Sequence, residues 1–585
     1  MPDPRPPDLR SILVLLAPLL LVGTAVGQAP DETPSSPEAA GEFFGVVDVE
    51  IVNIDVWVTD DGEPVPGLEK DDFLVYRDGE PVEVTNFYAV ADGRPVASEP
   101  EDPSGAGSDS SIPESGAPDM ARKPPTAEIP REHRLSLVVY VDNYNIQPIE
   151  RARVIPALRR FLSRTLAPGD RAMIVTADRS LEVRQPFTDE LPMLFDALEE
   201  IEDDTGHAKI RRTELMEALH RIDEAKSPTR ALGYARQHAE QVLNETGYTV
   251  DVLERLVDSL AGLPGRKALV HVSSGVPMLA GEAAFQAVAE KWKLSEAYAE
   301  IPRHDLSRSF EKVARDANAH RVVFYTLDAG GQRGAEFGGA EYAGFVSPRL
   351  RMTLDSVVPE NLQAPLRLMA FETGGRAIVN RNEVLPALEE AARDFRSFYS
   401  LGIPSHGSGS ARYHEIEVEL HQELRRRGLE LRHRSGYRSK SVDSRMRETL
   451  RSALLYSHEQ NPLDLKVTLG SPEATGERTF LLPVRLRLPL RHLVLIPLES
   501  GKHELRLKLY VGAVGEEGDL SEIQEAPLGL RIDPEHLEAA RREAFLHTHQ
   551  ILVSPGRRKI GVAVLDLLGQ QSSIVTGLVE VGTGE

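Results

Sequence analysis

Asp142-Asn-Tyr-Asn145 closes an apolar run, Leu135 to Val141, so one carboxylate and two amides stand at the carboxyl end of a buried strand. Oxygen donors of this kind suit a hard divalent cation, or present negative charge directly to a cation on a partner. Two further strand-like runs end in comparable groups: Ala268 to Val272 leads into Ser273 and Ser274, and Val322 to Leu327 leads into Asp328. Ligands of open α/β sheets bind outside the carboxyl ends of the strands, so Asp142, Asn143, Tyr144, Asn145, Ser274 and Asp328 are expected to converge as one partner-binding surface.

Other chemistry has little foothold. There is no His-Glu-x-x-His, no Gly-x-Ser-x-Gly elbow, no Gly-x-x-x-x-Gly-Lys loop and no cysteine. His271 lies close to Ser273 and Ser274, but no acid is placed in sequence to orient it as a base. Gly330-Gly-Gln-Arg-Gly334 follows a strand without leading into a helix and reads as a loop, and Asp328 beside it reads most simply as a turn cap. His547-Thr-His549 lacks a third ligand, and Glu199 to Asp204 reads as a solvated helix end. The expectation is a non-enzyme.

The elements that position these groups alternate. From Arg134 to about Ser400, strand-like runs (Leu135 to Val141, Ala172 to Thr176, Leu181 to Arg184, Ala268 to Val272, Val322 to Leu327, Ala377 to Val379) are separated by helical periodicity. This predicts a mostly parallel, doubly wound sheet covered on both faces. In the first helix, from Ile149 to Leu166, Pro156 is expected to kink the helix or mark its start. Outside this region the period is that of strands. Asp60-Asp-Gly62 and Arg77-Asp-Gly79 divide Val46 to Val90 into hairpins, Tyr399 to Ile403, Glu415 to Leu420 and Leu429 to His433 follow the α/β region, and strands recur from Leu463 to Val581.

At 585 residues the chain has length for several folded units, and its net charge of -24 disfavours a large nucleic-acid footprint. Arg425-Arg-Arg427, the longest basic run, reads as a solvated hairpin tip. Arg5 and Arg10, the apolar run Ile12 to Val22 and the small residues to Gly27 have the order of a secretory signal peptide, the alternative being an uncleaved signal anchor. Secretion permits disulfides, yet with no cysteine the exported domains must rest on their own cores.

Several segments, taken in order, resemble the bacterial VWFA-related domain family of exported proteins built around a von Willebrand factor A-type domain. They are Val58 to Phe73 with Tyr76-Arg-Asp-Gly79, Leu137-Val-Val-Tyr-Val-Asp-Asn143, Pro168-Gly-Asp-Arg171, Gly265 to Gly275, Tyr325-Thr-Leu-Asp328, Thr373-Gly-Gly-Arg376 and Arg434-Ser-Gly-Tyr437. The resemblance implies a magnesium site built from an Asp-x-Ser-x-Ser loop, a distant threonine and a second aspartate. Here Asp142 fits the first position, Tyr144 and Ile146 fall on the serine positions, and Ser274 stands where the second aspartate belongs. What remains is a degenerate site of Asp142, Asn145 and Ser274, binding Mg2+ weakly at most, with Thr205 or Thr213 as the threonine.

The expected architecture is therefore α/β plus β. It comprises a signal peptide (1–27), a disordered lead (28–44), β-hairpins (45–90), a disordered linker (91–133), the A-type domain (134–398) and strands completing a sandwich with the hairpins (399–440). A helical connector (441–462) and an immunoglobulin-like β-sandwich (463–585) follow. The expected function is protein binding or adhesion in the bacterial envelope, secreted or periplasmic. The competing expectation is a structural or assembly component acting through the sandwiches.

Overall fold

A computed structural model describes residues 51–96, 134–178, 180–204, 208–334, 337, 339, 344–405, 411–476, 479–516 and 518–582. The signal peptide, the lead and linker positions 97–133 lie outside the described residues. Within the linker's expected span, Arg94–Val96 is a strand paired with Asn86–Ala91.

The strand Leu135–Asp142 is buried at every position, as its unbroken Leu and Val content requires of a strand covered on both faces. It lies inside a six-stranded sheet whose order is Arg376–Ile378, Val322–Asp328, Arg266–Ser273, Leu135–Asp142, Arg171–Ala177 and Leu181–Thr188. The first five run parallel and the last pairs antiparallel at the edge. Alternation along the central strand divides the core. Leu135, Leu137, Val139 and Val141 face helices α1 (Pro148–Thr165), α2 (Leu191–Glu202) and α8 (Val384–Arg396), whereas Val138 and Tyr140 face the opposite layer. The mixed α/β class with a mostly parallel sheet is thus borne out. Pro156 neither starts nor ends α1, which runs through it with Val154, Ile155, Leu158, Phe161 and Leu162 buried on one side.

Between the strands Arg171–Ala177 and Arg376–Ile378 the chain builds more than a layer. Helices α3 (Ala208–Glu224), α4 (Pro228–Ser259), α5 (Glu282–Trp292), α6 (Ser307–Ala319) and α7 (Pro348–Glu372) divide into two packing groups. The second half of α4 (Val250 to Leu260), α6 and the end of α7 (Leu366, Met369) cover the sheet. The first half of α4 (Ala231, Ala235, Ala239), α3, α5 and the start of α7 (Leu350, Leu354) form a separate core. That second core is a helical cap, and α4 and α7 are long enough to belong to both. At 1.5 Å rise per residue, α4 extends about 48 Å, well beyond the length of an eight-residue strand.

Ile51–Asp60 lies between Phe398–Pro404 and Glu430–His433 in one antiparallel sheet, with Val56 opposite both Tyr399 and His433. A second antiparallel sheet joins Phe73–Arg77 to Tyr413–Leu420. The two share a core of Ile54, Val56, Phe73, Val75, Leu401 and Val418, among others. Beyond residue 460, two antiparallel sheets enclose a further core of leucines and valines, with the helix Val442–Tyr456 packed on the outer face of one of them. Arg425, Arg426 and Arg427 are all exposed after a short helix.

Everything described belongs to one compact unit, and Asp394 of α8 ties its parts together. Its carboxylate receives Arg432 Nη2 (2.7 Å) and Arg376 Nε (3.1 Å), while its carbonyl receives Trp57 Nε1 (2.9 Å) and Arg266 Nη2 (3.1 Å). Removing a buried carboxylate from two guanidinium partners leaves uncompensated charge, a loss of about 3–5 kcal/mol. Asp394→Ala should therefore lower the free energy of unfolding of the full chain in urea by that amount, read through tryptophan fluorescence, to which buried Trp57 contributes. Asp394→Asn, which keeps the carbonyl acceptor and part of the hydrogen bonding, should lose less.

Candidate functional site

Asp142, Ser273 and Asp328 end three adjacent parallel strands, with Ser273 directly opposite Asp328 in register. The sequence-derived groups do converge on the carboxyl end of the sheet. They do not form a surface. Asp142, Asn143, Tyr144, Asn145, Ser274 and Asp328 are each only 1–7% exposed, because the cap lies over them. In this arrangement the six residues expected as direct contacts are buried.

Each is also occupied within the chain. Asp142 Oδ2 accepts from Asn145 Nδ2 (2.7 Å) and Ser273 Oγ (2.9 Å), and its Oδ1 accepts the Asn145 backbone N–H (3.2 Å). Asn145 Nδ2 also reaches Thr249 Oγ1 of α4 at 3.1 Å. Ser274 turns the other way and donates to Glu150 Oε2 (2.5 Å), which in turn accepts the Gln147 N–H as part of the capping box of α1. Asn143 is pinned between Arg151 and Asp204, which also pairs with Arg184 at 2.8 Å, so the acidic helix end is part of the framework. Asp328 accepts the Gly330 N–H (2.9 Å), Gln363 Nε2 (2.8 Å) and Arg333 Nη2 (3.1 Å), a turn cap reinforced by a buried ion pair.

This donor set does not fit magnesium. A hard cation needs lone pairs directed at one point, whereas Asn145 aims its N–H2 at the carboxylate and the Ser274 hydroxyl is committed to Glu150. The expected trio Asp142, Asn145 and Ser274 is therefore not a ligand set in this arrangement. Of the two candidate threonines, Thr205 lies outside the described residues and Thr213 is on the exposed side of α3. The hydroxyl that approaches Asn145 is Thr249. No group of three or more His, Asp or Glu side chains with metal-binding geometry occurs among the described residues. The pair His547 and His549 stack with ring centroids 6.2 Å apart on the strand Ala544–Val553.

Ser273, Asp142 and His271 also meet here, but in an order that does not activate the hydroxyl. The serine donates to the carboxylate, and His271 Nε2 lies 3.7 Å from the same Oδ2 while its ring stacks on Tyr140. In a hydrolytic triad the imidazole stands between serine and acid, and the serine is accessible.

Between the sheet end and the cap is a cavity of about 160 Å3. Asn145, Glu150 and Ser274 form its floor, Arg211 and Leu215 of α3 and His238 and Val242 of α4 its sides, and Glu282 of α5 and Leu362 of α7 complete it. The close fit around it depends on two glycines with positive φ. A Cβ on Gly275 would stand 2.7 Å from Leu362 Cβ, and one on Gly281 2.4 Å from Ala239 Cβ, so no other residue lets these loops approach α7 and α4. Arg211, Thr249 and the cap were not legible as site residues, since each comes from an element far away in sequence, whereas Arg333 lies in the Gly330 to Gly334 loop, which reads from sequence only as a loop.

Burial pushes the Glu282 carboxyl up to about 7 and the His238 imidazole down to about 4. The two act on stability in opposite directions. Between the ordinary value 4.5 and about 7, the unfolded chain releases the Glu282 proton first, so the fold loses stability as pH rises. Between the ordinary value 6.5 and about 4, the unfolded chain protonates His238 first, so the fold loses stability as pH falls. Urea unfolding across this range should show Glu282→Gln gaining on the wild type as pH rises through this upper window, and His238→Gln gaining as pH falls through the lower one. A flat difference for either variant would contradict its assigned burial.

No family model matches the sequence, and no curated protein matches it either. Among solved structures the chain is similar to a von Willebrand factor type A protein from Catenulispora acidiphila, with 8% identity and a TM-score of 0.22 over 77% of this chain and 66% of that one. It is also similar to an aerotolerance-related membrane protein from Bacteroides fragilis (15% identity, TM-score 0.20, 44% and 98% covered). A third likeness is to BatB, a conserved hypothetical protein from Bacteroides thetaiotaomicron (12% identity, TM-score 0.15, 33% and 65% covered). The chain thus spans slightly less than two thirds of the first and third. At these TM-scores the architecture rests on strand order and register rather than on likeness.

Proposed function

We propose that this chain is an exported, non-enzymatic binding protein in which an A-type α/β domain recognises another protein without a divalent cation. The β-sandwich modules, the C-terminal one read as immunoglobulin-like, hold that domain in position in the bacterial envelope. The observation that carries the reading is the internal closure of the sheet's carboxyl end. The Asp142 carboxylate and the Ser274 hydroxyl are engaged within the chain and the Asn145 N–H2 faces that carboxylate, so recognition falls to the rim around them. On that rim Ile149 is 79% exposed in the first turn of α1, between Gln147 and Glu150, which both line the cavity. The site is then a degenerate metal-dependent adhesion site, and the described residues contain no helix long and apolar enough to cross a membrane.

A second reading has its own observation. Leu546 and Leu552, on the strand Ala544–Val553, are 71% and 58% exposed, an apolar face suited to an assembly contact through the C-terminal sandwich. Capture of envelope proteins by the immobilised full chain in EDTA separates the two. The A-type reading expects capture to persist in EDTA and to fall in Ile149→Asp. Loss only in the double variant Leu546→Asp, Leu552→Asp would move the contact to the sandwich. Loss in EDTA alone would return it to a metal.

A further inference from the structure

Three polar atoms of residues around the capped cavity are shielded from solvent and have no hydrogen-bond partner among the described residues: Arg211 Nε, Arg333 Nε and Asn145 Oδ1. The most telling is Arg211. Among the described residues its guanidinium makes no hydrogen bond or ion pair, although the side chain is half-buried, its Nε is shielded, and the charges of Asp142 and Glu245 act on it. Burying an unpaired guanidinium is costly unless something completes it. Arg333 is 9% exposed and reaches Asp328 and the Ser274 carbonyl through Nη2, leaving its Nε to spare.

The carboxylates on the same wall do not answer these cations. Glu150 is bound by the Gln147 N–H and the Ser274 hydroxyl. Glu282 is held toward its neutral form by burial. Leu215, Val242, Leu279, Phe337, Val358 and Leu362 make up the apolar part of the lining, beside the polar Gln147, Arg212, His238 and Asn361. A planar anion suits the fork of a guanidinium, and an apolar cavity of about 150 Å3 accepts a molecule the size of benzene.

We infer that the cavity between the sheet end and the helical cap binds a small organic monocarboxylate, its carboxylate on Arg211 and Arg333 and its apolar body against Leu215, Val242 and Leu362. The neutral amide of Asn145 offers an acceptor to a hydroxyl or N–H on the same molecule. This inference does not require the protein partner proposed above, and the two fail separately.

Calorimetric titration of the full chain with acetate, hexanoate and benzoate, each beside its neutral amide, tests it. The expected result is saturable binding of hexanoate or benzoate, with the matching amide weaker by about tenfold or more, the range for a charge-assisted hydrogen bond. Arg211→Gln should weaken the carboxylate by a similar factor and leave the amide unchanged. Arg211→Lys, which keeps the charge but loses the fork, should fall between. Because Arg211→Gln removes an uncompensated cation, its melting temperature without ligand should equal or exceed the wild type, which separates lost binding from lost folding. Equal binding of amide and carboxylate, unchanged carboxylate binding in Arg211→Gln, or no saturable binding by any of the three carboxylates would overturn the inference.

Discussion

The carboxylate of Asp142 sits at the end of the central strand, 1% exposed, and must be compensated from inside the protein. Asn145 folds back onto it from the next turn, Ser273 reaches it from the neighbouring strand, and Thr249 holds Asn145 from α4. These bonds join a strand end, a loop, a second strand and a helix remote in sequence. They also turn the Asn145 N–H2 and the Ser273 hydroxyl hydrogen toward the carboxylate oxygens a cation would use. The site's chemistry follows from this one solvation requirement: once the carboxylate is satisfied by amide and hydroxyl donors, the nearby Arg211 guanidinium is left without a partner among the described residues.

The cap explains why this network is dry. α4 and α7 each pack on the sheet with one half and on the cap with the other, so the cap is not a separately hinged lid but a continuation of the sheet's own covering layer. Gly275 and Gly281 let the loop after the Ser273 strand pass within contact of both helices. What the close approach leaves open is a small cavity with a polar floor and apolar walls, the usual division of labour in a ligand pocket.

The fold class was legible where periodicity speaks for itself. The run Leu135 to Val141 has the unbroken apolar content of a strand buried on both faces, and Asp142 at its end could be placed on the sheet's carboxyl edge from sequence alone. The site was legible only in part. Ser274 was expected beside Asp142, yet the strand's alternation points Ser273 at the carboxylate and Ser274 at Glu150, a one-residue slip that reverses the face. Burial of the six expected contact residues could not be foreseen, because the helices that cover them read as ordinary layer helices and only their length hints at a second core. Arg211 and Thr249 carry no local motif; their roles arise from tertiary packing. Pro156 shows the opposite error, a strong local signal overridden because the apolar face of α1 continues unbroken on either side of it.

Engagement of Asp142 by Asn145 and Ser273 leaves no room for a cation at the carboxyl end of the sheet. The most direct test is a titration of the EDTA-treated full chain with Mn2+, followed by the electron paramagnetic resonance signal of the free ion, beside Asp142→Ala. The expected result is a free-ion signal that rises in proportion to added Mn2+ and is the same for both proteins. A saturable loss of signal with a dissociation constant below about 1 mM, the weak end of oxygen-donor sites, that disappears in Asp142→Ala would contradict it.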